Sequence, residues 1–600
     1  MSSTGIVILG LLILCLAILP FILSGNRNLD KVKAKKTGDG QYGTADFASI
    51  REINKNLISV NYDPESWRKG KNLPKSEGII VGANKTKNKM TAYVDSSDNH
   101  TMVVTSPGGG KTTSLLYPNL EYSGACGMSG FITDTKGNVF KEYAPILEKY
   151  YGCKTFIIDL RYPLKSASYN FLYLVNKYTD KYKRNGRLSD LALAQVYAKN
   201  IADNIIHMNG FNDAGQNQFF YSSAEGVITG VTLLVSEFCK NEERHIVSVF
   251  KLIRELMEID PKTLNRQGVI PKLYLQQIYE LLPNNHTAKD FLAPAATSEF
   301  KTTASVMSTA MSQMLKFIDK EMEQLLCFDD GFNIDEFVEG KSFIFFVVDE
   351  KSNTKNFMVN LIIKQIYGEL LKKAESFSDI CLPHRVMQWL DEFGTYTKID
   401  GVESMFSAGR SRNILTVPFL QTLAQLDKNY GKDVANTIKN SCQNTLFSYQ
   451  APTSDDAEFF SKKLGTKTVT SGSVSIQNNG SRNSTSSTIQ MVKMPIMSPD
   501  EITRLKKGEW VFMKAGMNPC KMKLYKTEDW GITFDDRKEL TERTNREVHY
   551  ANRQKIMGAI RRRRNIQEDN NEINEKEPPK EKIEENPKEK KKKVLNAFLD

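Results

Sequence analysis

A short glycine-rich segment followed by a lysine and two threonines is the part of the sequence best suited to bind phosphate. Residues 105–113 read TSPGGGKTT at the end of the apolar stretch Thr101–Thr105. Consecutive glycines let successive backbone N–H groups surround a phosphate, and a lysine beside them can pair with the β- and γ-phosphates of a nucleotide. A threonine hydroxyl at the start of the next helix suits Mg²⁺. The segment predicts a nucleotide-binding loop made of Gly108, Gly109, Gly110, Lys111, Thr112 and Thr113.

Two adjacent acids near residue 390 could complete such a site. Asp391 and Glu392 directly follow the apolar run Arg385–Leu390. In the loop itself, Thr105 stands where a strict phosphate loop has its first glycine. An apolar strand that ends in two carboxylates places both at the carboxyl edge of a parallel sheet, where ligands bind in such folds. Asp391 is then expected to hold Mg²⁺ through its water shell. Glu392 is expected to orient and polarise an attacking water, which predicts hydrolysis of ATP as well as its binding.

Arg410 and Gln421 are two further polar residues of interest. Arg410 lies nineteen residues after Asp391, and Gln421 closes the next apolar stretch. An arginine can stabilise charge that develops on a transferring phosphoryl group, often from a neighbouring subunit, and a glutamine at a strand end can sense the γ-phosphate. Both residue types are also ordinary on protein surfaces, so their roles depend on the family.

The elements that must position these residues are short apolar runs separated by helical stretches. Such alternation of β-branched and aromatic runs with helices predicts an α/β domain with a mainly parallel sheet. Residues 185–335 instead show few strand-like runs and much helical periodicity, which predicts an all-α inserted domain. The predicted strands are Thr101–Thr105, Gly130–Asp134, Lys154–Asp159, Ser342–Asp349, Arg385–Leu390, Ile414–Leu420, Thr445–Gln450 and Trp510–Lys514.

The composition is that of an ordinary globular chain with a mild positive charge. The 600 residues include 81 Lys and Arg against 70 Asp and Glu, a net charge of +11 that permits a polyanionic partner without requiring one. The eight cysteines are scattered, with neither a C-x-x-C pair nor a Cys/His cluster at metal spacing. This distribution argues against a zinc site and against a disulfide framework. The expected cofactors are ATP and Mg²⁺, as the phosphate loop and the two acids predict.

The start of the chain predicts a retained membrane anchor. Ile6–Leu23 is eighteen residues long without a charge, which is sufficient to span a bilayer core as a helix. A cleaved signal peptide would begin with basic residues, and residues 1–4 contain none. Basic residues follow the segment at Arg27 and Lys31, so the remainder of the chain is expected on the cytoplasmic side.

Two polar regions are expected to lack fixed structure. Gly472–Thr488 is rich in Ser, Asn and Gly and predicts a mobile loop. The end of the chain, from residue 536, is charged and is expected to be a disordered basic tail. It contains the blocks Arg561–Arg564 and Lys590–Lys593, which are either solvated or able to contact DNA or anionic lipid.

Several segments together resemble the TraG/TraD-type coupling proteins of conjugative type IV secretion systems. GGGKTTSLLYPNL (108–120) is similar to their phosphate loop, and Pro118 within it predicts an interrupted first turn of the following helix. LDEFGTYTKIDGVESMFSAGRSRNILTVPFLQTLAQLDKNYG (390–431) resembles their second motif block. The resemblance covers roughly residues 42–527. Its other segments are YGTADFAS (42–49), TDTKGNVF (133–140), YNFL (169–172) and PIMSPDEITRLKKGEWVFMKAGMNP (495–519).

This resemblance implies a RecA-like P-loop motor domain in a homo-hexameric ring that hydrolyses ATP at its subunit interfaces. Arg410 would be the finger that reaches the neighbouring site, and Gln421 the coupling residue. The implied partners are a relaxase–DNA complex or a secreted protein substrate, DNA without sequence preference, and the channel subunits. The implied location is the bacterial cytoplasmic membrane. Two features depart from the family: one predicted span instead of two, and Asn138 where an acid is usual.

The predicted organisation, in chain order, has six parts. Residues 1–26 form the transmembrane anchor and 27–95 a cytoplasmic connector. Residues 96–184 and 336–535 form the two parts of the nucleotide-binding domain, 185–335 the all-α insertion and 536–600 the tail.

Two other functions remain open from the sequence. A septal, FtsK-like DNA translocase also combines an anchor with a RecA-like motor, although no basic recognition helix is evident here. A docking receptor that binds nucleotide with little turnover is the second. Glu392 argues against it, because a receptor needs no acid to activate water.

Overall fold

The computed structural model describes residues 36–576, except positions 37, 39, 88, 208–216, 265–270, 349–354, 395–397, 400, 480–481 and 535–536. The predicted anchor Ile6–Leu23 and the block Lys590–Lys593 lie outside the described residues. The chain divides into two compact units. Among the described residues, the first comprises 36–169 together with Asp329–Asn545, and the second comprises Asn170–Phe328 and 546–576.

The described strands, in chain order, are β1 (Ile58–Asn61), β2 (Ile79–Lys85), β3 (Met90–Asp95), β4 (Thr101–Val104), β5 (Ser129–Asp134), β6 (Lys154–Asp159), β7 (Ser342–Val347), β8 (Val386–Leu390), β9 (Ile414–Leu420), β10 (Asn444–Phe447), β11 (Thr466–Asn479), β12 (Arg482–Pro495), β13 (Glu509–Lys514) and β14 (Cys520–Lys523).

The described α-helices are α1 (Ile50–Asn56), α2 (Pro64–Arg68), α3 (Tyr117–Cys126), α4 (Asn138–Tyr151), α5 (Tyr173–Asn185), α6 (Leu188–His207), α7 (Gln218–Phe238), α8 (Ile246–Leu256), α9 (Pro261–Leu264), α10 (Tyr274–Leu281), α11 (Thr287–Ala296), α12 (Phe300–Met314), α13 (Lys320–Leu326), α14 (Ile334–Val338), α15 (Phe357–Glu375), α16 (Val402–Ala408), α17 (Leu423–Tyr430), α18 (Lys432–Ser441), α19 (Asp456–Leu464), α20 (Pro499–Thr503) and α21 (Arg553–Lys576).

The first unit is built on one large mixed sheet. Its twelve strands run in the order β1-β3-β2-β14-β13-β10-β4-β9-β8-β5-β7-β6. The strands from β10 to β6 in this order are parallel to their neighbours, and the other pairings are antiparallel. Strands β4, β5, β7, β8 and β9 are buried along their whole length, which explains why they form continuous apolar runs in the sequence. The predicted α/β class is confirmed.

The helix after the phosphate loop begins in an unusual way. Residues Lys111–Leu116 form a π-helical turn, in which the N–H of Tyr117 donates to the carbonyl of Thr112. Helix α3 then continues, with Pro118 in its first turn, where a missing N–H costs nothing. The predicted interruption of regular α-helical bonding is confirmed, and it takes the form of a wider turn.

The second unit is all-helical in its described residues, and α7 forms its centre. Helix α7 contacts α6, α11 and α12. Among the described residues it is the helix long and apolar enough to cross a membrane, but 67% of its apolar window is buried inside the unit. It is therefore a core helix. The unit begins earlier than the predicted insertion 185–335 and also includes α21.

Part of the expected disordered tail is ordered. In the first unit, the N–H of Lys538 donates to the carbonyl of Lys141 over 2.9 Å. In the second unit, Ile556 and Ile560 of α21 are buried, and Lys555 pairs with Glu243 at 2.8 Å. The prediction of disorder from residue 536 was wrong for this part, because the isoleucines, four residues apart, give α21 an apolar face that outweighs its charge.

The predicted mobile loop Gly472–Thr488 lies within an antiparallel hairpin. Strands β11 and β12 pair over fourteen residues each. Alternating Thr, Val and Ile residues favour strands, and this preference outweighs the Ser, Asn and Gly content on which the loop prediction rested. Lys36 and Thr44 form bridges to Val469 and Lys467, so the first described residues of the chain add to this hairpin.

Candidate nucleotide site

The predicted site residues other than Arg410 lie at one edge of the sheet, because three neighbouring parallel strands end there. The loop of residues 105–111 follows β4, Gln421 follows β9, and Asp391 and Glu392 follow β8. Strand β9 lies between β4 and β8. This juxtaposition at the carboxyl edge agrees with the expectation from the sequence.

Glycine is required at three successive positions of the loop. Gly108 and Gly110 have φ angles of 78° and 86°, a backbone conformation that side chains disfavour. Gly109 is needed for space, because a Cβ atom there would lie 2.3 Å from Oγ1 of Thr105. Thr105, the departure from the strict loop pattern, is buried and fills the space that Gly109 leaves.

Tyr449, which the sequence analysis missed, holds the loop from the side of β10. Its carbonyl accepts the N–H of Ser106 over 3.3 Å, and its hydroxyl donates to the carbonyl of Pro107 over 3.1 Å. The N–H of Thr105 donates to the carbonyl of Leu420 at the end of β9. The loop is therefore fixed to both neighbouring strands. Tyr449 falls inside the predicted strand Thr445–Gln450, and a tyrosine in a strand is too common in sequences to have signalled this role.

Lys111 and the two acids form a connected polar cluster. Nζ of Lys111 lies 3.1 Å from Oε1 of Glu392 and 3.9 Å from Oδ1 of Asp391. The side-chain amide of Gln421 donates to Oε2 of Glu392 over 2.8 Å. Glu392 has a φ angle of 52°, and its N–H donates to its neighbour's carboxylate over 3.1 Å. Glu392 thus contacts both the lysine predicted to bind phosphate and the predicted coupling residue.

Burial dominates the electrostatics of the acids at this edge of the sheet. Burial raises the pKa of Asp391 to about 6, against the opposing charge of Lys111, and the Glu392 carboxylate adds to this rise. Burial also raises the pKa of Asp134, at the end of β5, above its ordinary value. The hydroxyl of Thr112 and the Asp391 carboxylate are the hard oxygen ligands that Mg²⁺ prefers. These residues fit the predicted metal.

Asp134 is a second residue that the sequence analysis left without a role. Its carboxylate accepts the N–H groups of Lys136 and Val139 over 2.9 and 2.8 Å. It therefore shapes the turn into α4, whose first residue is Asn138. The available sequence signal was an acidic residue at the end of the predicted strand Gly130–Asp134.

Arg410 and Thr113 do not join the cluster through their side chains. Arg410 is exposed and lies just before β9, so it is at the amino edge of the sheet. His100 directly precedes β4 at the same edge. Burial and the charge of Arg410 lower the pKa of His100 to about 4. Strand β9 has seven residues and separates Arg410 from Gln421 by about 20 Å. The Thr113 side chain is exposed, and its carbonyl accepts the hydroxyl of Thr527 over 2.9 Å.

The contact between Gly109 and Thr105 leads to a test of the loop geometry. Replacing Gly109 with alanine is expected to weaken binding of a non-hydrolysable ATP analogue by about a hundredfold, because buried Thr105 cannot move away and the loop N–H groups shift. The double variant Gly109→Ala/Thr105→Ala is expected to recover most of the loss. Calorimetric titration of the wild type, the two single variants and the double variant gives the coupling free energy between positions 105 and 109. Equal affinities of the single Gly109 variant and the double variant would show that Thr105 is not the obstacle.

Comparisons with known proteins give the family of this chain. Residues 49–547 match the family described as type IV secretory system conjugative DNA transfer. A conjugal transfer protein TraG from Escherichia coli is 22% identical over 500 residues, which cover 79% of this chain and 73% of that protein. A probable conjugal transfer protein TraG from Sinorhizobium fredii (strain NBRC 101917 / NGR234) is 22% identical over 469 residues, 76% of this chain and 64% of that protein.

Two solved structures are similar in outline. The bacterial conjugative coupling protein TrwBdeltaN70, in its unbound form, has a TM-score of 0.48 at 14% identity and covers 85% of this chain and 100% of its own. The plasmid coupling protein TrwB in complex with the ATP analogue ADPNP has a TM-score of 0.47 at 15% identity and covers 84% of this chain and 100% of its own. Because the family match spans more than half of the sequence, this chain belongs to the type IV secretory system conjugative DNA transfer family.

Proposed function

We propose that this protein is a membrane-anchored ATPase that recruits a relaxase–DNA complex or a protein substrate and drives it into a type IV secretion channel. The observation that carries the proposal is the convergence of Lys111, Glu392 and Gln421 at the carboxyl edge of one sheet. A lysine alone would support binding. The added carboxylate, held by an amide from the neighbouring strand, supports turnover.

The contacts of Lys111 and Glu392 define their roles in this proposal. In binding ATP, Lys111 exchanges its pairing with Glu392 for the β- and γ-phosphates, which frees the carboxylate to orient water. Gln421 keeps its hydrogen bond to Glu392 and so links the acid to β9. Thr112 and Asp391 would hold Mg²⁺. That ion would neutralise charge on the β- and γ-phosphates.

Subunit contacts enter the proposal through Arg410. Because it lies at the amino edge, about 20 Å from Gln421 along β9, it is too far to act on the site of its own subunit. A neighbour in a ring of six could present its Arg410 instead. This supports hydrolysis at the interfaces of a homo-hexamer.

A mixing experiment tests the action of Arg410 in a neighbouring subunit. Arg410→Ala and Lys111→Ala proteins are each expected to be inactive alone. Their equimolar mixture is expected to regain activity at about a quarter of its interfaces, where an intact loop meets an intact arginine. Steady-state ATP hydrolysis before and after co-assembly provides the measurement. Arg412→Ala is the matched control, since Arg412 donates to the Ala408 carbonyl of its own subunit over 3.1 Å. A mixture as inactive as its components would contradict action across the interface.

The membrane and cargo surfaces complete the proposal. The uncharged segment Ile6–Leu23 supports a single-pass anchor in the bacterial cytoplasmic membrane, with the bulk of the chain in the cytoplasm. The all-helical second unit is proposed as the surface that recognises the substrate, and the exposed block Arg561–Arg564 on α21 supports an anionic partner there.

Partner identification separates this function from a septal translocase. Purification of the full-length chain from cells that carry the mobile element is expected to recover a relaxase and channel subunits. Mass spectrometry of the tagged protein, with an untagged strain as control, provides the readout. Recovery of a site-specific recombinase in place of the relaxase would support the septal, FtsK-like function and contradict the proposal.

A further inference from the structure

A pocket rich in lysine adjoins the phosphate loop in the first unit. Its volume is about 540 Å³. The residues that matter for its chemistry are Ser114, Lys506, Lys507, Lys523, Tyr525 and Lys526. None of these residues belongs to the cluster around Lys111, and the sequence analysis gave them no role.

The sheet explains why these lysines lie near the loop. Strand β13 is antiparallel to β10, and β14 is antiparallel to β13. The start of β13, after Lys507, and the end of β14, at Lys523, therefore lie at the same edge as the carboxyl end of β4. The order β14-β13-β10-β4-β9-β8 places the lysines on one side of the loop and Glu392 on the other.

Two contacts tie the pocket to the first turn after the loop. The hydroxyl of Thr527 donates to the carbonyl of Thr113 over 2.9 Å. A Cβ atom at Gly110 would lie 4.0 Å from Cε of Lys507. The Lys507 side chain thus passes directly beside the loop backbone.

The charges in the pocket do not balance. Its two carboxylates already have partners, since Asp529 pairs with Lys85 at 2.5 Å and Glu509 pairs with Lys521 at 3.7 Å. Among the residues that the structure describes, the ammonium groups of the four lining lysines have no ion pair with a carboxylate. Four like charges around one pocket repel one another, so the pocket is suited to an anion.

The polarity of a nucleotide in such a loop identifies the anion. In phosphate loops the lysine reaches the β- and γ-phosphates, while the backbone N–H groups surround the α- and β-phosphates. The γ-end therefore belongs beside Lys111 and Glu392. The α-phosphate and ribose belong on the opposite side, towards Ser114 and the lysine pocket.

We propose that Lys507, supported by the charges of Lys506 and Lys526, contacts the α-phosphate and ribose end of the nucleotide. This inference rests on the proposed function, because it requires that the loop binds ATP. It adds a second basic contact from the far end of the sequence, made by the segment that joins α20 to β13.

Nucleotide titration of the full-length protein tests the inference. The Lys506→Gln/Lys507→Gln variant is expected to bind ADP and a non-hydrolysable ATP analogue about tenfold more weakly, and to the same degree, because both carry the α-phosphate. The affinity is also expected to depend less steeply on salt than in the wild type. Lys69→Gln is the matched control, since Lys69 pairs with Glu65 at 2.6 Å and neither residue lines the pocket, and the affinity of this variant is expected to stay at the wild-type value. Lys507→Arg is expected to retain most of the binding.

Three outcomes would overturn the inference in distinct ways. Unchanged affinity for both nucleotides would show that the lysines serve another anion, and a loss of DNA binding in the same variant would identify it. A loss confined to the ATP analogue would place the contact at the γ-phosphate instead. Failure of the wild-type protein to bind either nucleotide would contradict the proposed function itself, which the wild-type titration reveals separately.

Discussion

Donor cells whose Lys111 is replaced by alanine are expected to transfer their mobile element about a thousandfold less often than wild-type cells. Lys111 is expected to pair with two phosphates, and its loss removes these charge-assisted contacts. In the structure, Nζ of Lys111 lies 3.1 Å from Glu392 and 3.9 Å from Asp391. Without the lysine, both carboxylates face the nucleotide with no cation between them. Affinity and turnover should therefore fall together.

The measurement is the transfer frequency per donor at equal protein level, with growth and cell division followed in the same cultures. Lys141→Ala is the matched control, because this lysine lies on α4 and pairs with Glu539 at 4.0 Å, in contact with none of the cluster residues. Normal growth with collapsed transfer supports the coupling function. A division defect would point to a septal translocase, and unchanged transfer would refute the motor role.

Replacing Glu392 with glutamine is expected to reduce ATP turnover by about a thousandfold while ATP binding persists. Glutamine keeps the volume of the side chain and can still accept the hydrogen bond from Gln421. It lacks the charge needed to polarise water. Since the change also removes the ion pair with Lys111, ATP affinity is expected to stay equal to or above that of the wild type.

Single-turnover hydrolysis and nucleotide titration measured on the same preparation separate the two effects. Gln425→Glu is the control. The side-chain oxygen of Gln425 accepts the N–H of Gln421, so this change alters the surroundings of the cluster without removing a contact of Glu392. Wild-type protein that binds ATP without turnover would favour the docking receptor. Full activity of the Glu392→Gln variant would remove this residue from the mechanism.

The sequence predicted the parts of the fold that depend on local patterns. All eight predicted strands are present, because strands buried on both faces produce continuous apolar runs such as that of β9. Six strands were missed. Strands β1 and β14 have only four residues each and are partly exposed, and β2 and β3 lie in the part of the chain that was interpreted as a connector. The hairpin was mistaken for a loop, because composition was weighed above the alternation of β-branched residues.

The sequence predicted those site residues that directly follow a recognisable strand. Lys111, Asp391 and Glu392 each follow a recognisable strand, and parallel strands bring such residues to one edge. Tyr449 and Lys507 could not be predicted, because their places depend on the pairing of β10 and β13 beside β4. The pairing of β10 with β4 joins residues more than three hundred positions apart, and no local pattern encodes it.

The bridges from Lys36 and Thr44 to β11 determine where a mechanical load on the first described residues would enter the first unit. If Ile6–Leu23 is held in the membrane, tension on the following residues reaches the hairpin first. The two-stranded sheet of β11 and β12 is separate from the twelve-stranded sheet that carries the phosphate loop. A load on these residues would therefore be shared with a sheet that contains no residue of the cluster around Lys111.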